Sequence, residues 1–268
     1  MERSDTLDYL MEHKTEGARI RKKTNAEATR AQLMLAGLKP GMHALDVGCA
    51  SGAGTLEMAR LAGPATVVGL DGSAARLQEA MDLACSAGIR NVGFQRGNAM
   101  DLPFDSATFD FVWSRFLMEY LPDPLAAIRE MRRVAKPGGL VAVADLDGNC
   151  LFHYPIEPSL EQGIEKVMRL LAHRGFDPFV GRKLYHFFRR AGFSTITAHV
   201  QAHHVIAGIP TEGERENWRE KISTIRRALA GDAVDRDEFD RLTDAFMKLI
   251  ESPDTFTYSP LITMVGQR

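Results

Sequence analysis

A glycine-rich turn directly after an apolar run could bind a ligand through its backbone. Residues 44–54 read ALDVGCASGAG, which predicts a strand ending in a loop that opens a helix. The missing Cβ atoms of Gly48, Gly52 and Gly54 allow a ligand to approach closely, and backbone N–H groups at a helix start face an anion. We therefore expect a carboxylate or phosphate at this turn. The spacing is GxxxGxG, which differs from the GxGxxG pattern of dinucleotide-binding proteins.

A second candidate ligand-binding carboxylate stands at the tip of the next predicted strand. The segment TVVGLDGS contains Asp71, 25 positions after Asp46. An acid at this place lies beside the glycine loop and can accept hydrogen bonds from both hydroxyls of a ribose. Asp71 therefore predicts a nucleoside ligand. The alternative interpretation makes Asp71 the N-cap of a helix predicted over 74–87.

The elements that must position these residues alternate between strands and helices from residue 43 onwards. The apolar runs HALDV, TVVGL, NVGFQ, FDFVW and GLVAVAD are interspersed with amphipathic stretches at 53–62, 74–87 and 123–135. This alternation predicts an α/β fold with a parallel sheet, right-handed crossovers and helices on both faces. Ligands of such sheets lie outside the carboxyl ends of the strands, where Gly48 and Asp71 fall.

Further segments flank this core. Residues 1–36 are predicted to be helical, ending at Gly37. After the fifth strand come a helix over 158–174, a helix over 181–191, the strand STITAHVQAHHV, a charged helical insert at about 211–252 and the strand FTYSPLITMVGQR. We expect both inserts to roof the ligand site. The predicted parts are an N-terminal helical segment (1–36), a ligand-binding core (37–147), a helical cap insert (148–180) and the completion of the core (181–268).

The composition excludes several classes of protein. The net charge is −2, from 33 basic and 35 acidic residues, and the chain is 45% hydrophobic and 25% charged, so it is globular with no basic excess for nucleic acid. The opening has no apolar signal-peptide core, and no stretch reaches the about 18 apolar residues of a membrane span. Cys49, Cys85 and Cys150 form neither a disulfide framework nor a zinc motif. We expect a cytoplasmic protein that binds neither nucleic acid nor a membrane.

Five motifs in order and spacing resemble those of one family. ALDVGCASGAG, VVGLDGS, NAMDLPF, FDFV and the KPGG turn are similar to successive motifs of class I S-adenosylmethionine-dependent methyltransferases of the small-molecule, type 11-like kind. They cover about residues 40–146, and VGRKLYHFFRRAGFSTI is similar to the helix and sixth strand that follow in many of these enzymes. The resemblance implies a Rossmann-like sheet of seven mostly parallel strands and S-adenosylmethionine as the cofactor.

The resemblance also implies a role for residues at each motif. Asp46 would help to hold the ammonium group of the methionine moiety, and Asp71 would bind the ribose diol. Asn98 stands where the family commonly has Asp, and its carbonyl oxygen would accept more weakly from the adenine amine. The pair Ala50-Ser51 replaces a commoner Gly-Thr. The implied cofactor residues are Asp46, Gly48, Cys49, Ala50, Gly52, Asp71, Gly72, Asn98, Ala99, Met100, Ser114 and Arg115.

The candidates for chemistry on the acceptor lie beyond these motifs. Since the cofactor carries an activated methyl group, the protein must mainly align a nucleophile and exclude water, and it needs a base only where the acceptor must lose a proton. His153 in LFHYP is the first candidate base, with Tyr154 beside it. A metal is not expected, because His204 does not share the strand face of His199 and His203. The expected substrate contacts are Trp113, Asp147, His203 and His204.

The predicted acceptor is a small molecule that is methylated at O, N or C. One alternative is RNA or protein methylation, which the charge of −2 and the sequence WSRF in place of an NPPY-type motif disfavour. Another is a protein that binds S-adenosylmethionine without transferring its methyl group, as a regulator, a scaffold or a catalyst of another cofactor transformation. The sequence leaves the oligomeric state open, a homodimer included.

Overall fold

The structure, a computed structural model, describes residues 25–148, 151–229 and 235–268. Most of the predicted segment 1–36 and Cys150 therefore lie outside the described residues. No helix within these ranges is long and apolar enough to cross a membrane. Helices α1 to α8 are Ala26–Leu35, Ala53–Ala62, Ala74–Ser86, Pro124–Val134, Pro158–His173, Val180–Arg190, Glu212–Ala228 and Arg236–Ile250. Strands β1 to β8 are Ala44–Val47, Val67–Asp71, Val92–Arg96, Phe109–Arg115, Ala135–Leu146, Phe152–Tyr154, Thr195–Ala207 and Phe256–Gln267.

The chain divides into two compact units. The first comprises the described residues up to Asp145, together with Lys183–His199 and Thr263–Arg268. The second comprises Leu146–Arg182 and Val200–Ile262. The motifs of the predicted cofactor site all fall in the first unit, whereas the candidate base lies in the second.

The sheet of the first unit has the strand order β3-β2-β1-β4-β5, and these neighbours are all parallel. All four residues of β1 are buried, as a strand covered by helices on both faces requires. Asp46 is in register with Gly69 of β2 and Trp113 of β4, so the carboxyl ends of these three strands share one edge. The predicted α/β fold with a mostly parallel sheet is confirmed.

The last part of the chain contains one strand more than the sequence predicts. Arg268, directly after β8, exchanges backbone hydrogen bonds with Gly138 and Gly139 at the start of β5. β7 pairs with β8, and β6 pairs antiparallel with β8. The sequence predicts seven strands, and the three-residue β6 is the eighth among the described residues. It escapes prediction because LFHYP shows no alternation of apolar and polar residues that would mark a strand.

The core of the second unit forms where helices pack on one another and on the strands. Trp218, Phe246 and Ile250 are buried there. Helices α5 and α8 approach closely because Gly163 has no side chain, and a Cβ at this position would meet the Leu242 side chain. Phe246 packs against the ring of the buried His153 discussed below.

Candidate functional site

The loop after β1 is bound tightly to the end of β2. The amides of Gly48 and Cys49 both donate to the Leu70 carbonyl oxygen, at 2.8 and 3.0 Å. The amide of Gly52 donates to the Cys49 carbonyl oxygen at 2.9 Å. The sequence predicts that the loop amides face an anionic ligand, and for these three amides the prediction is wrong, because all three bond within the protein. A helix leaves its first-turn amides without intrahelical partners, so an anion at this turn would bond to those of α2.

Gly52 shows why this loop needs glycine. Its φ is +79°, in the left-handed region, and it is the N-cap of α2. A Cβ atom at Gly52 would lie 2.7 Å from the Cβ of Ala80 on α3. The loop can therefore turn into α2 and pack against α3 only with glycine here.

The Asp71 carboxylate lies at the carboxyl edge of the sheet, between the loop after β1 and the loop after β2. One carboxylate oxygen accepts from the Ala50 amide and the other from the Ser73 amide, both at 2.9 Å. Ser73 is the N-cap of α3, so the alternative interpretation of Asp71 as that N-cap is wrong. A carboxylate oxygen has about two lone-pair sites, so accepting one amide hydrogen bond does not by itself exclude a ligand. The next residue, Gly72, is exposed, and the nearest atom to a Cβ there would be 3.9 Å away.

Asp46 is a buried carboxylate at the end of β1. It accepts a hydrogen bond from the Thr55 hydroxyl at 2.6 Å. Burial raises the pKa of Asp46 to about 6, the Thr55 bond and the Arg115 charge oppose that rise, and the Asp71 charge adds to it. Burial also raises the pKa of the Cys49 thiol, with further contributions from the charges of Asp46 and Asp71, so Cys49 stays protonated and unreactive.

The end of β4 contributes residues with different environments. Ser114 is buried, and its hydroxyl donates to the Val47 carbonyl oxygen at 2.9 Å, which ties β4 to β1. The Arg115 guanidinium donates to Thr29 and Gln32 of α1, at 3.2 and 3.0 Å. Burial lowers the pKa of Arg115, and the nearby Asp46 charge opposes this. Trp113 is only 3% exposed, which leaves a substrate little surface to contact.

The segment after β3 carries the predicted adenine contacts. The side-chain oxygen of Asn98 accepts from the Met100 amide at 2.9 Å, so this oxygen already has one partner. Ala99 is buried, whereas Asn98 is exposed. The side-chain amide group of Asn98 therefore remains accessible to a ligand.

Asp147, in the second unit, forms an ion pair with Arg182. Its two carboxylate oxygens accept from Nε and Nη2 of Arg182 at 2.9 to 3.0 Å, and one also accepts from the Arg182 backbone amide at 3.0 Å. The pKa of Arg182 is raised, chiefly by the hydrogen bond to Asp147. These bonds join the two residues that flank the predicted cap insert, and they favour a structural role for Asp147 over the predicted contact with substrate.

Removing the Asp147 carboxylate tests that structural role. We expect Asp147→Ala to lower the free energy of unfolding by about 1–3 kcal/mol, because several hydrogen bonds to a charged group are lost. Denaturant unfolding measures this. Glu165→Ala, which removes an exposed partner of Arg169, should change stability by less than about 0.5 kcal/mol. Unchanged stability in Asp147→Ala, combined with weaker acceptor binding, would instead restore Asp147 as a substrate contact.

The two candidate catalytic residues differ sharply in exposure. His153 is buried, its Nδ1 lies 2.9 Å from the Thr257 hydroxyl, and its ring packs edge-on against Phe246 with centroids 5.3 Å apart. Tyr154, its neighbour on β6, is 78% exposed. The geometry thus gives His153 the fixed orientation that a base requires and leaves Tyr154 without comparable support.

His203 and His204 lie next to each other on β7 with ring centroids 4.1 Å apart. His204 has a positive φ of 52°, in the left-handed region, although β7 continues to Ala207. Lys221 places its ammonium group 3.5 Å from Nε2 of His204 and 4.5 Å from the centre of the Trp218 ring. Within the described ranges, no three His, Cys, Asp or Glu side chains are grouped closely enough to hold a metal ion.

Several partners of the candidate residues escape sequence reasoning. Thr55, which bonds to Asp46, and Thr257, which bonds to His153, have no distinctive motif around them. Thr29 and Gln32, which bind Arg115, lie more than 80 positions away in the chain. The one signal for Thr55 is its position, directly after the glycine loop and in the first turn of α2.

A pH prediction follows from the burial of Asp46. Its folded pKa of about 6 exceeds the ordinary aspartate pKa of 3.8, so the stability that this group contributes is present below pH 3.8 and is lost as the pH rises towards 6. A cationic ligand group needs the ionised form. We expect the affinity for S-adenosylhomocysteine to fall below pH 6, by up to about tenfold per pH unit. Titration calorimetry at several pH values should show this decline in the wild type and little pH dependence in Asp46→Asn, whereas equal profiles would contradict it.

The class of the protein follows from comparison with known sequences. The pattern of a family described as a methyltransferase domain matches residues 38–192, more than half of the chain. The chain therefore belongs to this methyltransferase family, which confirms the resemblance found in the five motifs.

Particular relatives are similar over shorter ranges. The demethylmenaquinone methyltransferase of Bacillus cytotoxicus is 41% identical over 105 residues, which are 39% of this chain and 44% of the relative. The corresponding enzyme of Staphylococcus aureus is 40% identical over 106 residues, or 43% of its length. The chain thus aligns with less than half the length of the curated relatives it matches.

Solved structures resemble the chain over a greater length. The YcgJ protein of Bacillus subtilis has a TM-score of 0.61 and 18% identity, covering 91% of this chain and 99% of its own. Phosphoethanolamine N-methyltransferase 2 of Haemonchus contortus, solved with phosphomonomethylethanolamine and S-adenosylhomocysteine, has a TM-score of 0.61 and 16% identity, covering 98% of this chain and 60% of its own. At these identities the likeness shows a shared fold alone.

Proposed function

We propose that this protein transfers a methyl group from S-adenosylmethionine to a nucleophile of a small-molecule acceptor in the cytoplasm. The observation that carries the proposal is the Asp71 carboxylate, which two backbone amides fix at the carboxyl edge of the sheet, beside the glycine loop. The cofactor supplies a methyl group already activated on its sulfonium. The chain must therefore bind the two reactants, align them and exclude water.

The residues of the first unit fit such a cofactor. Asp71 offers accepting oxygens to the ribose diol, and the open space at Gly72 leaves room beside it. Asp46 offers a buried carboxylate to the ammonium group, with Thr55 holding it in place. The exposed Asn98 offers its amide to the adenine base. The remaining proposed contacts are Gly48, Cys49, Ala50, Gly52, Ala99, Met100, Ser114 and Arg115.

His153 is the proposed general base for an acceptor that must lose a proton. In the tautomer in which Nδ1–H donates to the Thr257 hydroxyl, Nε2 carries the lone pair that would take the proton. Thr257 and Phe246 hold the ring in one orientation. His203 and His204 remain proposed acceptor contacts.

The experiment that tests the function detects S-adenosylhomocysteine as a product. The purified protein is incubated with S-adenosylmethionine and candidate acceptors, among them demethylmenaquinone, after which the relatives are named. We expect one acceptor to yield S-adenosylhomocysteine and its methylated form in equal amounts. Cofactor binding that leaves S-adenosylmethionine intact with every acceptor would favour a regulator or scaffold instead.

A further inference from the structure

Helix α1 buries two polar side chains on one face. Thr29 and Gln32 are 1% and 8% exposed, and their spacing of three positions makes them neighbours on the helix surface. A buried helix face ordinarily carries aliphatic side chains, as Leu33 does on the same helix. Because a buried polar group needs a hydrogen-bond partner, these two side chains indicate a specific contact.

Their shared partner is the Arg115 guanidinium at the end of β4. Its Nη1 group donates to the Thr29 hydroxyl oxygen and to the Gln32 side-chain oxygen, at 3.2 and 3.0 Å. Both acceptors are uncharged, and among the described residues Arg115 has no carboxylate as an ion-pair partner. Neutral acceptors fix the orientation of a guanidinium without cancelling its charge.

The charge held in this way lies at the proposed cofactor site of the first unit. Asp46 on β1 is in register with Trp113 on β4, so Arg115 follows at the carboxyl edge of the same two strands. Burial raises the pKa of Asp46, and the Arg115 charge is among the effects that oppose the rise, so the two side chains are close enough to interact. The guanidinium Nε and Nη2 groups have no hydrogen-bond partner among the described residues. Side by side, these two groups fit the two oxygens of a carboxylate.

We propose that Thr29 and Gln32 are positioning residues of the cofactor site, which hold the Arg115 guanidinium without neutralising it so that Nε and Nη2 bind a ligand carboxylate. The inference rests on the proposed function, and the carboxylate is that of the amino-acid end of S-adenosylmethionine. Asp46 is the proposed partner of the ammonium group, so Asp46 and Arg115 offer opposite charges to the two charged groups of one ligand. The two α1 residues act on binding only through Arg115.

Changing the charge of Gln32 while keeping its shape separates positioning from packing. Gln32→Glu keeps the acceptor oxygen and makes the bond to Arg115 charge-assisted, so the melting temperature should hold or rise. The new negative charge cancels that of Arg115, and we expect titration calorimetry to show at least about fivefold weaker binding of S-adenosylhomocysteine. The second probe is 5′-methylthioadenosine, which has the same nucleoside but no amino-acid end. Because this probe is uncharged, its affinity should stay within about twofold.

Arg30→Ala is the matched control for the docking of α1. Arg30 joins α1 to α2 through an ion pair with Glu57 at 2.9 Å, and Glu57 keeps Arg60 as a partner when Arg30 is removed. Thr29→Val deletes one hydrogen bond to Arg115 and should weaken S-adenosylhomocysteine by about 3- to 10-fold, whereas Arg30→Ala should leave it within about twofold.

The results separate this inference from the function on which it rests. The positioning role is wrong if Gln32→Glu binds S-adenosylhomocysteine as tightly as the wild type, or if 5′-methylthioadenosine is weakened equally. It is also wrong if Arg30→Ala weakens S-adenosylhomocysteine as much as Thr29→Val does. Should Gln32→Glu fail to fold, the comparison of Thr29→Val with Arg30→Ala carries the test. If the wild type binds neither probe, the proposed function itself fails, and the positioning role fails with it.

Discussion

Replacing Asp71 with alanine is expected to weaken the binding of S-adenosylhomocysteine by about 10- to 150-fold. The carboxylate would accept both ribose hydroxyls, and hydrogen bonds to a charged group contribute about 1.5–3 kcal/mol. The variant also frees the Ala50 and Ser73 amides that the carboxylate now binds, so the two loops lose the group that sets their spacing. Titration calorimetry measures the affinity, and denaturant unfolding measures the accompanying loss of stability.

Asp82→Ala provides the control for this experiment. Asp82 lies on α3 in the same unit, and its side chain accepts only from Gln78 at the surface among the contacts described for it. It changes the net charge by the same amount and should leave the affinity within about twofold. If Asp71→Ala binds as tightly as the wild type while remaining folded, Asp71 is not part of the cofactor site.

His153→Ala is expected to lower kcat by about 10²- to 10⁴-fold for an acceptor that must lose a proton. The dissociation constant for S-adenosylmethionine should stay within about twofold, because the base contacts the acceptor and not the cofactor. Thr257→Val keeps the ring but removes the partner of Nδ1, so its rate should fall less. The measurement is the rate of S-adenosylhomocysteine release with an acceptor found by product screening.

His173→Ala is the matched control for the base. His173 is exposed at the end of α5, where its Nδ1 bonds to the Arg169 carbonyl oxygen. A wild-type rate in His153→Ala would exclude a general base at this position and turn attention to Tyr154, His203 and His204. A joint fall in melting temperature and cofactor affinity would instead identify His153 as structural.

Much of the fold could be predicted because its signals are local. Helix α2 spans 53–62 as its periodicity predicts, and α3 ends at Ser86, one residue before the predicted end. Glycine loops and apolar runs mark the strands equally well. Strand β6 could not be predicted, because three residues without alternation become a strand only by pairing with β8.

The candidate site was predictable in position and less so in detail. Spacing alone places Asp71 beside the glycine loop, since both follow parallel strands. That the amides of Gly48 and Cys49 bond to Leu70 depends on how β1 and β2 pack, which no local pattern encodes. The sequence likewise predicts Asp147 as a substrate contact, because no local pattern indicates the ion pair that it forms with Arg182 in the tertiary structure.

Titration calorimetry of the wild-type protein with S-adenosylhomocysteine, and separately with NAD, tests the central claim most directly. The glycine loop and Asp71 should hold the two ends of one nucleoside ligand, and the loop lacks the dinucleotide spacing. We therefore predict saturable binding of S-adenosylhomocysteine at one site per chain and negligible heat with NAD. Saturable binding of NAD together with no binding of S-adenosylhomocysteine would contradict the assignment of this fold to methyl transfer.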